Sequence, residues 1–170
     1  GDGDIDTLSI AANDDTVAWY ENADGVGGSW TYHEISTSAD SGKSVYAIDV
    51  DGDGDIDALS ASRSDDTIAW YENADGVGGS WTYHEISTTA YRSRSVFAID
   101  IDGDGDQDYA CANPGDSAFL IYENDGIGNL TLIQKVTLAD GRHIEPLDHD
   151  QDGDLDLVCT VEDTDSTPSN

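Results

Sequence analysis

Aspartates at alternating positions form three similar acidic segments in this chain of 170 residues. The segments read DVDGDGDID at 49–57, DIDGDGDQD at 100–108 and DHDQDGDLD at 148–156. Each has a carboxylate at positions 1, 3, 5, 7 and 9 and a glycine at position 6, where the backbone can turn sharply. Because alternating carboxylates in a tight turn converge on one point, the spacing predicts a binding site for a hard divalent cation.

Calcium is the cation that fits this set of donors best. It takes about six to eight oxygen ligands, whereas magnesium keeps several waters and zinc prefers Cys or His side chains. The histidine within the segments, His149, stands at position 2, which is not a ligand position. We therefore predict Ca²⁺ as the cofactor, bound by side chains at positions 1, 3, 5 and 9 and by the backbone carbonyl at position 7.

The predicted calcium-binding residues form three complete sites and one partial site. A shortened segment at the start of the chain keeps only three aspartates, so a site there needs ligands from elsewhere. The alternative is that the acidic segments are ordinary solvated turns, but three complete copies, each followed by an apolar strand, favour metal binding. The predicted residues are Asp49, Asp51, Asp53, Asp55 and Asp57; Asp100, Asp102, Asp104, Asp106 and Asp108; Asp148, Asp150, Asp152, Asp154 and Asp156; and, in the partial site, Asp2, Asp4 and Asp6.

The charge of the chain supports a cation as a partner and argues against others. It carries 37 acidic and 6 basic residues, a formal net charge of -31, and such self-repulsion opposes a compact state unless cations offset it. A nucleic-acid partner requires clustered Lys and Arg, whereas the six basic residues look scattered in the sequence. No apolar run approaches the roughly 18 residues of a membrane span, so we expect no membrane insertion.

A long repeat surrounds the acidic segments. The sequence DDTVAWYENADGVGGSWTYHEIST at 14–37 returns at 65–88, an offset of 51 residues, with Val17 replaced by Ile68 as the single change. A degraded third copy occupies 116–137. Strand-like segments at 44–48, 58–62, 67–72 and 80–87 alternate with turn formers, which predicts four short antiparallel strands in a unit of about 50 residues. Units of this kind are typical of β-propeller blades, so we predict an all-β protein with almost no helix.

The repeat divides the chain into about three and a half units, fewer than the roughly four to eight blades of a closed propeller. We therefore expect blades of four short antiparallel strands in an array that is open or is completed by another chain. The predicted units are a partial repeat with strands 2 to 4 of a blade at 1–43, full repeats at 44–94 and 95–142, a partial repeat with strands 1 and 2 at 143–162, and a linker or tail at 163–170.

The pattern DxDGDGDxD between two strands, together with SASRSDDTIAWYEN and its copies, resembles the FG-GAP or VCBS repeat family and is similar to the calcium-binding blades of integrin alpha chains. The resemblance covers essentially the whole chain. It implies a β-propeller with calcium in the loop that joins the first two strands of each blade, and extracellular roles in adhesion, recognition or scaffolding. The segments differ from an EF-hand at position 12, where Ser60, Cys111 or Cys159 replaces the bidentate Glu, so the flanking elements need not be helices.

Catalysis is not expected from this sequence. His33 and His84 precede Glu34 and Glu85 directly within predicted strands, where neighbouring side chains point to opposite faces, so neither pair forms a catalytic dyad. No nucleophile motif or phosphate-binding loop occurs. We therefore predict that the protein is not an enzyme.

Recurring aromatic residues leave an alternative function open. They either fill the space between blades or form platforms on which sugars stack, which would make the protein a lectin-like propeller. A glycosylation sequon begins at Asn129, and the tail at 163–170 is a linker or a site for O-linked sugars. The aromatic residues are Trp19, Trp30, Trp70 and Trp81 with Tyr20, Tyr32, Tyr71 and Tyr83.

The leading hypothesis from the sequence is a calcium-binding structural or adhesive module, secreted or on a cell surface. Its last unit supplies the opening strand and acidic loop that its first unit lacks, so copies could join head to tail into a ring or filament. The expected partners are calcium, other copies of the chain, and other extracellular proteins or glycans. A carbohydrate-binding propeller and a fragment of a larger closed propeller are the alternatives.

Overall fold

The computed structural model describes residues 3–137, 141–151 and 156–161. In this part of the chain, 13 β-strands form four antiparallel sheets, and one short 3-10 turn at Pro114–Asp116 is the other regular element. None of the described segments is a helix long and apolar enough to cross a membrane. The prediction of an all-β protein built of propeller-like blades with almost no helix is confirmed.

Each sheet follows chain order, so each is a simple antiparallel meander that we call a blade. The predicted strands of the second blade start and end within one or two residues of the observed ones. The first blade contains β1 (Thr7–Ile10), β2 (Val17–Asn22) and β3 (Trp30–Ser36); the second contains β4 (Gly42–Ile48), β5 (Asp57–Ser62), β6 (Ile68–Asn73) and β7 (Trp81–Ser87); the third contains β8 (Ser95–Ile99), β9 (Asp108–Asn113), β10 (Ala118–Asn124) and β11 (Leu130–Thr137); the fourth contains β12 (Gly141–Leu147) and β13 (Asp156–Val161).

Burial falls from the central strands of a blade to its outer strand. Every residue of β5 and β9 is buried, and most of these residues are small, because the faces of the sheet are covered by neighbouring blades. The outer strands have no buried residue: β11 is largely exposed, and β7 is partly exposed. On the inner side, β4 packs against β1 and β8, and β12 packs against β8 and β9. The blades are therefore stacked side by side.

The hydrophobic cores lie between successive blades. The first interface buries Val17, Ala39, Ala58 and Tyr71. The second and largest joins Leu59, Ile68 and Trp70 of one blade to Val96, Tyr109, Cys111, Leu120 and Tyr122 of the next. The third buries Phe97, Ile99, Ala110, Ala112 and Ile144. Since the interior of the protein consists of these interfaces, anything that fixes one blade against the next stabilises the whole stack.

Candidate metal centres in the acidic loops

The acidic segments are the loops that join the first and second strands of each blade. In the loop between β4 and β5, one carboxylate oxygen from each of Asp49, Asp51 and Asp57 lies within 4.8 Å of the other two. The loop between β8 and β9 repeats this arrangement in the third blade, with Asp100, Asp102 and Asp108. These residues are positions 1, 3 and 9 of their segments. Two loops thus bring three carboxylates each to a common point.

In the second and third blades, the first aspartate of the acidic loop holds the turn by hydrogen bonds to backbone N–H groups. The carboxylate of Asp49 accepts hydrogen bonds from the backbone N–H groups of Gly52 at 2.8 Å and Gly54 at 3.0 Å. Both glycines have a positive φ, +75° and +95°, which other residues adopt only with strain. Asp100 makes the same two bonds in the third blade. The glycines therefore allow the turn, and the first carboxylate holds it.

The last aspartate of the loop ties the loop to the rest of its blade. Asp57 is only 2% exposed, and its two oxygens accept hydrogen bonds from the backbone N–H groups of Val50 at 2.9 Å and Asn73 at 2.8 Å. Burial raises the pKa of Asp57 to about 6, against the opposing effect of these hydrogen bonds and with help from the charges of Asp51 and Asp53. The protein thus holds a carboxylate in a place where, without a cation, its charge is disfavoured.

Positions 5 and 7 lie apart from these clusters. Asp53, at position 5, uses one oxygen to accept a hydrogen bond from the N–H of Asp55 at 2.8 Å. Asp55, at position 7, places its carboxylate against Gly76 of the hairpin between β6 and β7, so closely that a Cβ at Gly76 would collide with it. Asp104 and Asp106 repeat both arrangements in the third blade, where Asp106 lies against Gly126.

The first and fourth loops are described only in part. Asp2, Asp152 and Asp154 lie outside the described residues. Asp6 accepts a hydrogen bond from the N–H of Asn22 at 2.9 Å, as Asp57 does from Asn73, and Asp4 lies against Gly25 of the same hairpin. In the fourth blade, Asp156 accepts a hydrogen bond from the N–H of His149 at 3.1 Å. One oxygen of Asp148 is buried without a hydrogen-bond partner among the described residues, and Asp150 belongs to the same loop.

The donors of the loops suit a hard cation. Each cluster offers carboxylate oxygens only, which are the ligands that calcium prefers. Three such groups within 4.8 Å of one another repel each other, and a divalent cation among them would turn this repulsion into attraction. The residues present therefore fit a bound calcium ion.

The acidic loop of the second blade also contacts the next blade. The side-chain amide of Asn124, at the end of β10, donates hydrogen bonds to the carbonyl oxygens of Val50 at 2.8 Å and Gln107 at 3.1 Å. Gly126, in the following hairpin, brings its carbonyl against Gly52. The candidate metal centre is thus part of the contact between two blades.

A cleft of about 530 Å³ lies between the first and second blades, at the same end as the acidic loops. Trp19, Trp81 and Leu8 supply much of its apolar lining, and Asp55 and Asp57 border it. At the next interface, Asp51 and Gly52 of an acidic loop lie against the hairpin of the third blade. The cleft and this contact thus lie at the same end of two successive interfaces.

The tryptophans make specific structural contacts. The indole N–H of Trp19 donates a 3.2 Å hydrogen bond to the carbonyl of Gly78 in the next blade. Trp70 of the second blade is buried, and its ring lies against Gly128 of the third blade. The indoles of Trp30 and Trp81 donate to the carbonyls of Gly27 and Gly78 in their own hairpins. These contacts are those of residues that fill the space between blades and close hairpins.

The histidines pair with glutamates that the sequence analysis did not single out. His33 stacks on Trp19, with ring centroids 4.1 Å apart, and its Nε2 lies 3.1 Å from a carboxylate oxygen of Glu21 across the hairpin. His84, Trp70 and Glu72 repeat the cluster in the second blade. The strand register that sets Trp19 opposite His33 produces this cluster, and the length of the glycine-rich hairpin is the sequence signal for that register.

Asn129 lies where the sequence places it, in the hairpin between β10 and β11. Its side chain is exposed and its amide donates a 2.8 Å hydrogen bond to Asp125. Glycosylation at Asn129 stays a prediction.

Comparison with known families agrees with the geometry. The model of the FG-GAP-like repeat matches the chain three times, at residues 1–60, 49–111 and 100–159. Comparison with curated proteins gives no match. The three matches together span almost the whole sequence, and each includes an acidic loop and strands that flank it. The chain therefore belongs to the FG-GAP-like repeat family.

Proposed function

We propose that this protein is a calcium-binding structural or adhesive module that acts outside the cell. The observation that carries the proposal is the convergence of Asp49, Asp51 and Asp57, which recurs at the same three positions of the third blade. Membership of a repeat family whose units build propellers supports a role as a scaffold rather than as an enzyme.

Calcium would act as a stabilising ion at the contact between blades. Asp57 joins the loop to the hairpin of its own blade, and Val50, whose N–H bonds Asp57, accepts a hydrogen bond from Asn124 of the next blade. An ion held by this loop would therefore stiffen both blades at once. Extracellular modules bind calcium with dissociation constants of about 10⁻⁴ to 10⁻³ M, which suits the calcium level outside cells.

Calorimetric titration with calcium tests the proposal. The double variant Asp51→Asn with Asp102→Asn removes one converging carboxylate from each described cluster, and we expect a loss of at least about tenfold in affinity at these two sites. The double variant Asp14→Asn with Asp40→Asn is the matched control, because both are exposed aspartates outside the loops and their loss changes the charge by the same amount. Absence of calcium uptake by the unaltered protein would overturn the proposal.

Self-association of copies is a further part of the proposed function. In the described structure, β1 pairs only with β2, and β13 pairs only with β12, so each has an edge that no described strand covers. Either edge suits a strand of a second copy. Such a contact joins different surfaces of the two copies and leads to a ring or a filament.

Light scattering across a concentration series, with and without calcium, tests this assembly. The proposal predicts particles larger than one chain in calcium and their loss when calcium is chelated. A single-chain particle at every concentration in calcium would contradict it.

Carbohydrate binding is a second candidate, favoured by the position of Trp81 on the wall of the 530 Å³ cleft. A sugar could stack on this ring while the bordering carboxylates accept its hydroxyl hydrogens. Glycan-array binding that Trp81→Ala abolishes, with the fold retained, would support this function. Binding that is absent, or that the substitution leaves unchanged, would exclude it.

A further inference from the structure

Four arginines meet in one small cavity. Of the six basic residues of the chain, Arg63, Arg92, Arg94 and Arg142 line a single cavity of about 150 Å³, together with Pro114. In the sequence these residues look scattered, and that interpretation is wrong for the folded chain. The stacking of three blades brings them together.

The arginine cavity lies at the opposite end of the blades from the acidic loops. Arg63 is in the turn between β5 and β6, and Arg92 and Arg94 are in the connection between β7 and β8. Arg142 is the second residue of β12. Because the strands are antiparallel, these connections stand at one end of the sheets, and the acidic loops and glycine hairpins stand at the other. The most basic place on this acidic protein is therefore remote from the candidate metal centres.

Three of the four arginines of the cavity, Arg63, Arg92 and Arg94, form no salt bridge with a carboxylate in the part of the chain that the structure describes. Salt bridges among the described residues involve His33, His84, His143 and Lys135 instead. The Nε of Arg94 is buried and has no hydrogen-bond partner. Burial, together with the positive charges of Arg142, Arg63 and Arg92, lowers the pKa of Arg94 from its ordinary value.

Like charges held together in a cavity repel one another, and an unpaired buried donor costs free energy. A chain with 37 acidic residues has ample carboxylates to pair with, yet Arg63, Arg92 and Arg94 line the cavity without a salt bridge among the described residues. An anion from solution would satisfy them.

We propose that the arginine cavity binds a compact tetrahedral oxyanion, a sulfate or phosphate group. The guanidinium group presents donors in a planar fork that matches the oxygens of such an anion in a bidentate way. A divalent anion also offsets more of the converging positive charge than a carboxylate does. A volume of about 150 Å³ is below the roughly 300 to 1,000 Å³ typical of pockets for larger ligands. A larger ligand would therefore insert only its charged group.

The same group has two sources, a free inorganic ion and the sulfate ester of a sugar. Titration calorimetry with sodium sulfate and with a sulfated disaccharide distinguishes them, and acetate serves as the singly charged comparison. We expect saturable binding of sulfate, at least about tenfold tighter than that of acetate. Tighter binding of the sulfated disaccharide than of free sulfate would identify the ester as the source, whereas equal affinity would identify the free ion.

Two variants connect binding to the cavity. Arg92→Gln changes an exposed side chain, and Arg94→Gln changes the partly buried one with the unpartnered Nε. We expect each to weaken sulfate binding by about tenfold. Lys43→Gln is the matched control, because Lys43 is on β4, does not line the cavity, and loses the same charge.

Stability measurements guard against a variant that fails to fold. At constant ionic strength, sulfate in place of chloride should raise the melting temperature of the unaltered protein and of Lys43→Gln by more than that of Arg92→Gln, which keeps only the general stabilising effect of sulfate. No saturable binding of either sulfate compound, or an equal loss in Lys43→Gln, would overturn the proposal.

Discussion

The side-chain amide of Asn124 donates a 2.8 Å hydrogen bond to the carbonyl oxygen of Val50. This bond connects the third blade to the acidic loop of the second. The N–H of Val50 in turn bonds Asp57, one of the three carboxylates that converge in that loop. The buried residue Val50 therefore couples the geometry of the candidate metal centre to the stacking of the blades.

Asn124→Ala should weaken both the stack and the calcium site. The substitution leaves the carbonyls of Val50 and Gln107 without their donor, at a cost of about 1 to 3 kcal/mol in the free energy of unfolding. Urea unfolding in calcium measures the loss, and calorimetry measures the accompanying fall in calcium affinity. Asn13→Ala, at an exposed position, should change neither. Equal stability of the two variants would show that the two features are not coupled.

The indole N–H of Trp19 gives a second test of the contact between blades. Trp19→Phe keeps an aromatic ring but removes the donor to the carbonyl of Gly78, so we expect a loss of about 0.5 to 1.5 kcal/mol in unfolding free energy. Trp30→Phe removes a bond of the same kind within a single exposed hairpin and should cost less. Denaturant titration of both variants checks this order. A larger effect at Trp30 would contradict the structural role of Trp19.

The contact between Asp55 and Gly76 predicts that the hairpin tolerates no side chain there. Gly76→Ala would place a Cβ against the carboxylate of Asp55 at a backbone φ of +68°. Gly54→Ala is the comparison, because its φ of +95° is also strained but nothing lies within 4 Å of its Cβ position. Thermal unfolding should show the greater loss for Gly76→Ala, because both variants pay for the strain and only this one displaces a carboxylate. Equal losses of stability in the two variants would show that backbone strain alone causes the destabilisation and that the contact with Asp55 contributes nothing.

The raised pKa of Asp57 predicts how stability and calcium binding depend on pH. Without metal, Asp57 of the folded protein has a pKa of about 6, whereas the ordinary pKa of an aspartate is 3.8. Between these values the folded state binds more protons than the unfolded state, so the stability of the metal-free protein falls as pH rises. Calcium requires the ionised carboxylate, so its affinity rises over the same interval.

Melting curves in chelator and calcium titrations at pH 5, 6 and 7 check both trends. Asp57→Asn removes the titrating group and should flatten the contribution of this site to each profile. Calcium affinity that is independent of pH in the unaltered protein would show that Asp57 does not take part in binding.

The strand order could be predicted from the sequence because the pattern is local. Short apolar runs in β4 and β5 flank a loop of aspartates and glycines, and the repeat shows the same order three times. The conformation of the loop also depends on near neighbours, as in the bonds from Gly52 and Gly54 to Asp49. Local chemistry of this kind is visible in a single repeat.

Other features depend on how strands pair and how blades pack together. They could not be predicted from the sequence, because they join residues that are distant along the chain. The pairing of His33 with Glu21 follows from the register of β2 and β3. The bond from Asn124 to Val50 follows from the stacking of two blades. The arginine cavity needs residues as far apart in the sequence as Arg63 and Arg142. A repeat pattern predicts each unit, but the contacts between units are set by packing.

A crystal structure of the protein grown in calcium tests the central claim most directly. We predict an anomalous scattering peak among Asp49, Asp51 and Asp57 and another among Asp100, Asp102 and Asp108, with calcium to oxygen distances of about 2.3 to 2.6 Å. Empty loops at saturating calcium, with the carboxylates still converging, would contradict the account and leave the acidic segments as ordinary turns.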